Sequence, residues 1–316
     1  MKSTAKKVQG NQTTFTEFIL LGFGDLLQLQ PFLFFFFLMI YMATLAGNLL
    51  LIVLVVADQH LHTPMYFFLG NLSCLETCYS STLLPRLLAS LLTGEKTISM
   101  TGCITQLYFF SSLGSLECCL LSVMSYDRYL AICKPLHYTA LMNGRLCLQL
   151  VVGSWLGAFV SVAFLISLSQ LTFCGPNEID HFFCDFSPVL TLSCSDTHWL
   201  KVVAIVHSSV FTFPPFLLTL ASYMCIIATI LRIPSTSGRQ KAFSTCSSHL
   251  IVVTLFYGSL VIVYLLPDSD VLRDLRKVCS VFYGVLTPLI NQLIYSLRNK
   301  EVKEALRKAL LRFFIF

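Results

Sequence analysis

Along this chain, unbroken apolar runs alternate with short polar joints. Seven such runs fall at about Pro31–Ala57, Pro64–Leu92, Ser99–Cys133, Leu146–Leu168, Lys201–Leu231, Ala242–Leu266 and Val278–Leu297. Each is long enough to cross about 30 Å of hydrocarbon as an α-helix. The ten-residue alternation of a membrane barrel is absent, so the runs are read as helices. The first exceeds the apolar core of a signal peptide and no small-residue cleavage site follows it, so it is read as a span of the mature chain. Composition agrees: the 316 residues are 56% apolar and 12% charged, against about 45–50% and about 25% for soluble domains. The expectation is an all-α membrane protein, a seven-transmembrane helix bundle over 31–297, with an outer tail at 1–30 and an amphipathic inner helix at 298–316.

Charge sets the orientation, because Lys and Arg in short loops stay on the cytoplasmic side. With the N-terminus outside, the inner face collects Arg128, Lys134, Arg145, Arg232, Arg239, Lys241, Arg298, Lys300, Lys303, Arg307, Lys308 and Arg312 against Asp58, Asp127, Glu301 and Glu304. The outer loops carry more acid than base, which favours N-out and C-in, although Lys2, Lys6 and Lys7 pull the other way. Asn11-Gln12-Thr13 is a glycosylation sequon that suits an outside N-terminus, while Asn71-Leu72-Ser73 lies inside the second span and is silent.

Of 13 cysteines, nine fall in spans or at inner helix ends, where cysteine is a small buried apolar residue. Cys103, Cys174, Cys184 and Cys194 face the oxidising side and can form two disulfides, for which spacing alone leaves three pairings open.

Charges inside a membrane are costly and therefore informative. Glu76 in the second span and Glu117 in the third both lie roughly 18–21 Å from an end, near the midplane. Two carboxylates at one depth face each other, and in low dielectric they share a proton or hold a cation such as Na+. The plainer alternative is a protonated, hydrogen-bonded pair with a packing role alone. Asn48 and Asn291 sit at compatible depths in the first and seventh spans and complete a polar cluster. At the inner end of the third span, about 38 Å of helix from Cys103, stands Asp127-Arg128-Tyr129.

Other function classes lack their signatures. No internal repeat of interrupted helices suggests a transporter, no filter or polar pore lining suggests a channel, and the scattered histidines form neither a nucleophile–base set nor a metal site. No enzyme activity and no cofactor is expected.

Four segments carry a resemblance. Leu61-His62-Thr63-Pro64-Met65-Tyr66-Phe67-Phe68-Leu69, the run from Met124 to Tyr138 that includes Asp127-Arg128-Tyr129, Lys241-Ala242-Phe243-Ser244-Thr245-Cys246-Ser247-Ser248-His249-Leu250, and Ile294-Tyr295-Ser296-Leu297-Arg298-Asn299-Lys300 are similar to the signatures of olfactory receptors, of the tetrapod-type class, in the rhodopsin-like superfamily. The nearer rival is a non-olfactory receptor of that superfamily for a small hydrophobic ligand.

The resemblance implies a mechanism. An odorant settles among spans three, five, six and seven and shifts the population of a state that opens toward a stimulatory G protein of the olfactory type, at the plasma membrane of sensory cilia. It places Arg128 in the G-protein cleft with Asp127 restraining it, and Tyr129 beside them. It also makes Tyr223 and Tyr295 the tyrosines that turn toward that cleft, assigns Tyr257 to the pocket floor, and gives Glu76 and Glu117 as the family's acidic pair. Its disulfides are Cys103–Cys184 and Cys174–Cys194. The chain departs from the family at Gln292, where the pattern has proline after Asn291; Gln292 restores a backbone N–H and removes a kink that Pro288 can supply instead.

Depth counting places Phe110, Ser111, Gly114 and Ser115 in the third span and His207 in the fifth at a level where Tyr257 of the sixth can face them, and these with Tyr264 are the expected ligand set. This is an apolar cavity with few polar groups and no carboxylate above Glu117, so the expected ligand is small, uncharged and volatile, with His207 orienting it. After the last span, Val302, Ala305, Leu306, Ala309, Leu310 and Phe313 recur at helical spacing opposite Lys and Arg, the pattern of an interfacial helix on anionic lipid. The third inner loop is read as Ile233–Gln240, a polar turn with hydroxyls open to a kinase.

Overall fold

The computed structural model describes residues 17–22, 29–174, 176–262, 270–298 and 300–314. Asn11 and Tyr264 lie outside the described residues. Strand β1 (Glu17–Leu20) precedes α1 (Gln30–Ala57) and α2 (Pro64–Thr93), each opened by a proline in its first turn, where the missing N–H has no helical partner to lose. Gly94, at φ 74°, closes α2 in the left-handed region that only glycine enters cheaply. Strand β2 (Thr97–Ser99) leads into α3 (Met100–Cys133), capped by the Ser99 hydroxyl accepting from the Gly102 amide. Then come α4 (Pro135–Leu141), α5 (Gly144–Ser161) with a 3-10 continuation Ala163–Gln170, β3 (Glu178–Ile179) and α6 (Phe186–Thr191). The chain ends with α7 (His198–Leu231), α8 (Thr236–Leu260), α9 (Asp270–Val281), a π turn Phe282–Leu286, α10 (Thr287–Arg298) and α11 (Lys300–Phe314).

Seven spans make the bundle: α1, α2, α3, α5, α7, α8 and the α9–α10 pair. Among the described residues five stretches are apolar and long enough to cross a membrane outright, Gln30–Ala57, Met100–Cys133, Gly144–Gln170, His198–Leu231 and Lys277–Tyr295, with Cys246–Leu260 a shorter apolar helix. The second span is less apolar because it turns Ser73, Glu76 and Ser80 into the interior between α1 and α3, with which it packs. Large apolar side chains such as Phe32, Met39, Val160, Ile205 and Leu217 stand exposed on the outside of the bundle, where lipid is the solvent.

Helix ends differ from the apolar runs wherever a helix continues past the hydrocarbon. The sixth begins at Thr236 instead of Ala242, so only the first residues of Ile233–Gln240 form the turn; Ser235 caps the helix by accepting from the Gly238 amide. The fifth starts at His198 and the seventh at Asp270, ahead of Lys201 and Val278. Hydropathy marks the membrane and not the helix, which explains each extension.

The all-α expectation omits one feature. β1 is the central strand of a three-stranded sheet at the disulfide-bearing end, antiparallel to β2 (Glu17↔Ser99) and parallel to β3 (Ile19↔Glu178). Phe18, fully buried, meets Phe173 edge-on at 5.2 Å. Cys103–Cys184 ties the start of α3 to the loop after β3, and Cys174–Cys194 closes that loop, with Cα separations of 5.4 and 6.0 Å. At the opposite end Val302 and Ala305 of α11 are buried in the bundle's own core, and the Tyr66 hydroxyl donates to Glu301 at 2.6 Å. Part of the apolar stripe read as lipid-facing therefore packs on protein.

Candidate functional site

Helix α3 strings three sites along one axis. In the disulfide-bearing half, Phe110 is buried among aromatic rings: Phe183 at 4.8 Å, Tyr79 at 5.2 Å and Tyr283 at 6.0 Å between centroids. A Cβ on Gly114 would meet the Tyr283 hydroxyl at 2.9 Å, so the glycine is what lets the tyrosine cross the bundle. At the next residue, Ser115 and Ser161 both reach His207 Nε2, at 3.4 and 3.1 Å, while each hydroxyl also donates to a backbone carbonyl of its own helix, those of Ser111 and Ala158. The His207 ring stacks on Phe211 at 4.9 Å. Tyr257 lies against Phe216 at 5.0 Å, with its buried hydroxyl lacking a hydrogen-bond partner among the described residues.

The structure thus brings Phe110, Gly114, Ser115, His207 and Tyr257 into one region, but splits it. Phe110 and Gly114 face the aromatic wall of Tyr79, Phe183 and Tyr283; Ser115 and His207 face Ser161 and Phe211. His207, expected to orient the ligand, has Nε2 engaged by two serines, which leaves Nδ1 as the ring nitrogen for that role. Sequence reasoning missed Tyr283, Phe183 and Ser161. The Phe282-Tyr283-Gly284 run gave a signal in principle, since Gly284 leaves room where a Cβ would sit 2.8 Å from Leu83 Cδ1.

Phe183 is held in place by its loop. His181, buried beside it, contacts the Phe183 carbonyl through Nδ1 at 3.1 Å and Ser280 Oγ on α9 through Nε2 at 3.1 Å, while Lys277 pairs with Asp180 at 2.5 Å. Burial pulls the His181 imidazole below its ordinary value, against the neighbouring Asp185, which raises it.

About halfway along α3, Glu117 comes together with Glu76, Asn48 and Asn291. All four are buried; Asn291 Nδ2 donates to Glu117 Oε1 at 3.4 Å, and Asn48 Nδ2 turns back to the Thr44 carbonyl at 3.1 Å. Glu76 Oε1, Asn48 Oδ1 and Asn291 Oδ1 have no hydrogen-bond donor among the described residues. Three buried acceptor oxygens beside a second carboxylate are a donor-starved set, which a proton or a cation completes.

At the end of α3 away from the disulfides, the Asp127 carboxylate accepts from the Tyr138 hydroxyl on α4 at 2.8 Å, and no ion pair with Arg128 is present among the described residues. The direct partner of this buried carboxylate is therefore the loop helix and not the neighbouring Arg128. The ring of Tyr129 stacks on Tyr126, with centroids 6.2 Å apart. Tyr223 hydrogen-bonds His249 Nδ1, and the His249 ring lies 6.3 Å from Tyr295. His249, not singled out by its sequence, links the two tyrosines; its place in the Cys246-Ser247-Ser248-His249 run was the available clue.

One helix, α3, thus joins an aromatic wall near the disulfides, a buried acid–amide cluster and Asp127-Arg128-Tyr129 at its far end. Residues 37–313 match the family model described as "Olfactory receptor". Among curated proteins the chain is 50% identical to human Olfactory receptor 6N1 over 304 residues, covering 96% of this chain and 97% of that protein. It is 49% identical to mouse Olfactory receptor 5AP2 over 312 residues, 98% of each, and 48% to rat Olfactory receptor 1f45, covering 95% and 96%. The chain belongs to the olfactory receptor family: it is an odorant-sensing, G-protein-coupled receptor of the rhodopsin-like type, a multi-pass protein of the plasma membrane.

Proposed function

We propose that this receptor binds small, uncharged, mostly apolar volatile molecules in the half of the bundle that carries the disulfides, and drives a stimulatory olfactory-type G protein that raises cyclic AMP. The observation that carries the ligand class is the composition of the wall: Phe110, Phe183, Tyr283, Phe211 and Tyr257 with Ser115, Ser161 and His207 supply area and a few hydrogen bonds and no charge. Such a site gains affinity mainly from apolar burial, about 25 cal/mol per Å². Ser111 stands on the same helix face as Ser115 through its carbonyl contact.

The disulfide-bearing end is the outer face in this reading, which puts the N-terminus and Asn11, as a glycan acceptor, outside and α11 inside against anionic lipid, in sensory cilia. Ligand contact near Tyr257 biases the bundle toward a state in which Tyr223 leaves His249 and turns with Tyr295 toward Arg128. Glu76, Glu117, Asn48 and Asn291 favour the resting state while they hold a proton or Na+. A screen of alcohols, aldehydes, ketones and hydrocarbons in cells reporting cyclic AMP tests the reading. Responses confined to permanently charged amines or acids would refute the ligand class, and agonist responses through a non-stimulatory G protein alone would refute the coupling.

A further inference from the structure

The side chain of Gln292 lies directly on the backbone of Gly47. A Cβ built on Gly47 would stand 2.2 Å from Gln292 Cδ and Nε2 and 2.7 Å from Oε1, so the carboxamide fills the notch that this glycine leaves in α1. Gln292 is only 8% exposed. It follows Asn291 of the midplane cluster and precedes Tyr295 by three residues on α10, while Gly47 precedes Asn48 of the same cluster on α1. The seat thus sits where the first and seventh helices share a polar centre, and between that centre and Tyr295, whose ring lies 6.3 Å from His249.

A side chain lodged in a glycine notch opposes sliding along the helix axis, because any shift of α10 past α1 must first lift the carboxamide over the flanking residues. Close-packed helices change place between discrete arrangements and do not deform continuously. We propose that Gln292, seated on Gly47, is a positioning residue that holds the inner half of the seventh helix against the first and sets the resting threshold for moving Tyr295. The proposal rests on the signalling role above and adds a residue to it.

The glycine makes a clean test, since the atoms its methyl would displace are the far end of a flexible side chain. Gly47→Ala therefore unseats Gln292 without breaking backbone packing. At matched surface level, with the stimulatory G protein coexpressed and no odorant added, basal cyclic AMP should rise about threefold or more in Gly47→Ala and Gln292→Ala. The double variant should rise no further than either alone, as for residues acting through one contact. Gln292→Met, which keeps the bulk, should stay near the wild type. Hydrogen exchange of amides 287–298 in the purified receptor reads the same seat without signalling, and should quicken in Gly47→Ala and Gln292→Ala. Unchanged exchange, or a rise in Gln292→Met as large as in Gln292→Ala, overturns the seat. Quickened exchange with flat basal signal, in a receptor whose wild-type signal depends on Arg128, overturns the threshold role. A wild-type receptor with no Arg128-dependent signal refutes the coupling reading itself, and with it this role.

Discussion

The hydroxyl of Tyr283 stands 2.9 Å from the point a Cβ on Gly114 would occupy, so one missing methyl on the third helix decides where a tyrosine of the seventh can lie. Tyr283 is buried against Phe110, Tyr79 and Phe256, and its backbone belongs to a π turn, the kind of local widening often found at functional sites. Gly114→Ala should push the ring off its neighbours at a cost of about 1–3 kcal/mol, as overpacking of a filled core does. Agonist potency should fall while surface delivery persists, and Tyr283→Ala in the same background should restore part of it. Equal potency for Gly114→Ala and wild type would show that the ligand does not use this wall.

His207 offers one ring nitrogen to a ligand, the other being taken by Ser115 and Ser161. His207→Phe keeps bulk and the stack on Phe211, and both serines retain their backbone acceptors, so the variant should fold. Oxygenated agonists should weaken by about 1–3 kcal/mol and hydrocarbons should be spared. Dose–response curves for an alcohol, an aldehyde and a hydrocarbon that shift together would remove His207 from polar recognition.

Arg128→Ala should abolish cyclic AMP signalling while leaving the receptor at the surface, because the side chain is about 38 Å of helix from Cys103. Tyr138→Phe should act differently. It strips a buried carboxylate of its donor, an imbalance of about 1–3 kcal/mol, and frees Asp127 to engage Arg128. Basal cyclic AMP should fall below wild type in Tyr138→Phe; an unchanged basal level would mean that Asp127 and Arg128 do not compete.

Acid should loosen the disulfide-bearing loop. Burial depresses the His181 imidazole in the fold, whereas in the unfolded chain it titrates near its ordinary value of about 6.5. The folded state then binds fewer protons, so this histidine's contribution is fully present above about pH 6.5 and is lost as pH falls toward its lowered value. The melting temperature of the purified receptor should drop between pH 7.5 and 5.5, and His181→Phe should flatten that drop. A variant with the same pH dependence as wild type would clear His181 of the effect.

Seven helices, the shared level of Glu76 and Glu117 in the bundle and the place of Asp127-Arg128-Tyr129 at a helix end were legible in the sequence, because each follows from a fixed rise per residue and from the cost of charge in lipid. The same arithmetic brought Asn48 and Asn291 to the cluster, since residues at one depth in neighbouring spans have little choice but to meet. Helix ends were less legible: Thr236 and Asp270 begin helices in polar sequence, where hydropathy is silent and capping by a residue such as Ser235 decides. What only the tertiary structure decided was partnership. Asp127 chose Tyr138 over its neighbour Arg128, His207 shared a nitrogen with Ser161, and Gln292 found Gly47. Composition fixes which groups must leave water or lipid, whereas the rotation of each helix about its axis, set by packing along its whole length, fixes which of several chemically adequate partners each one meets.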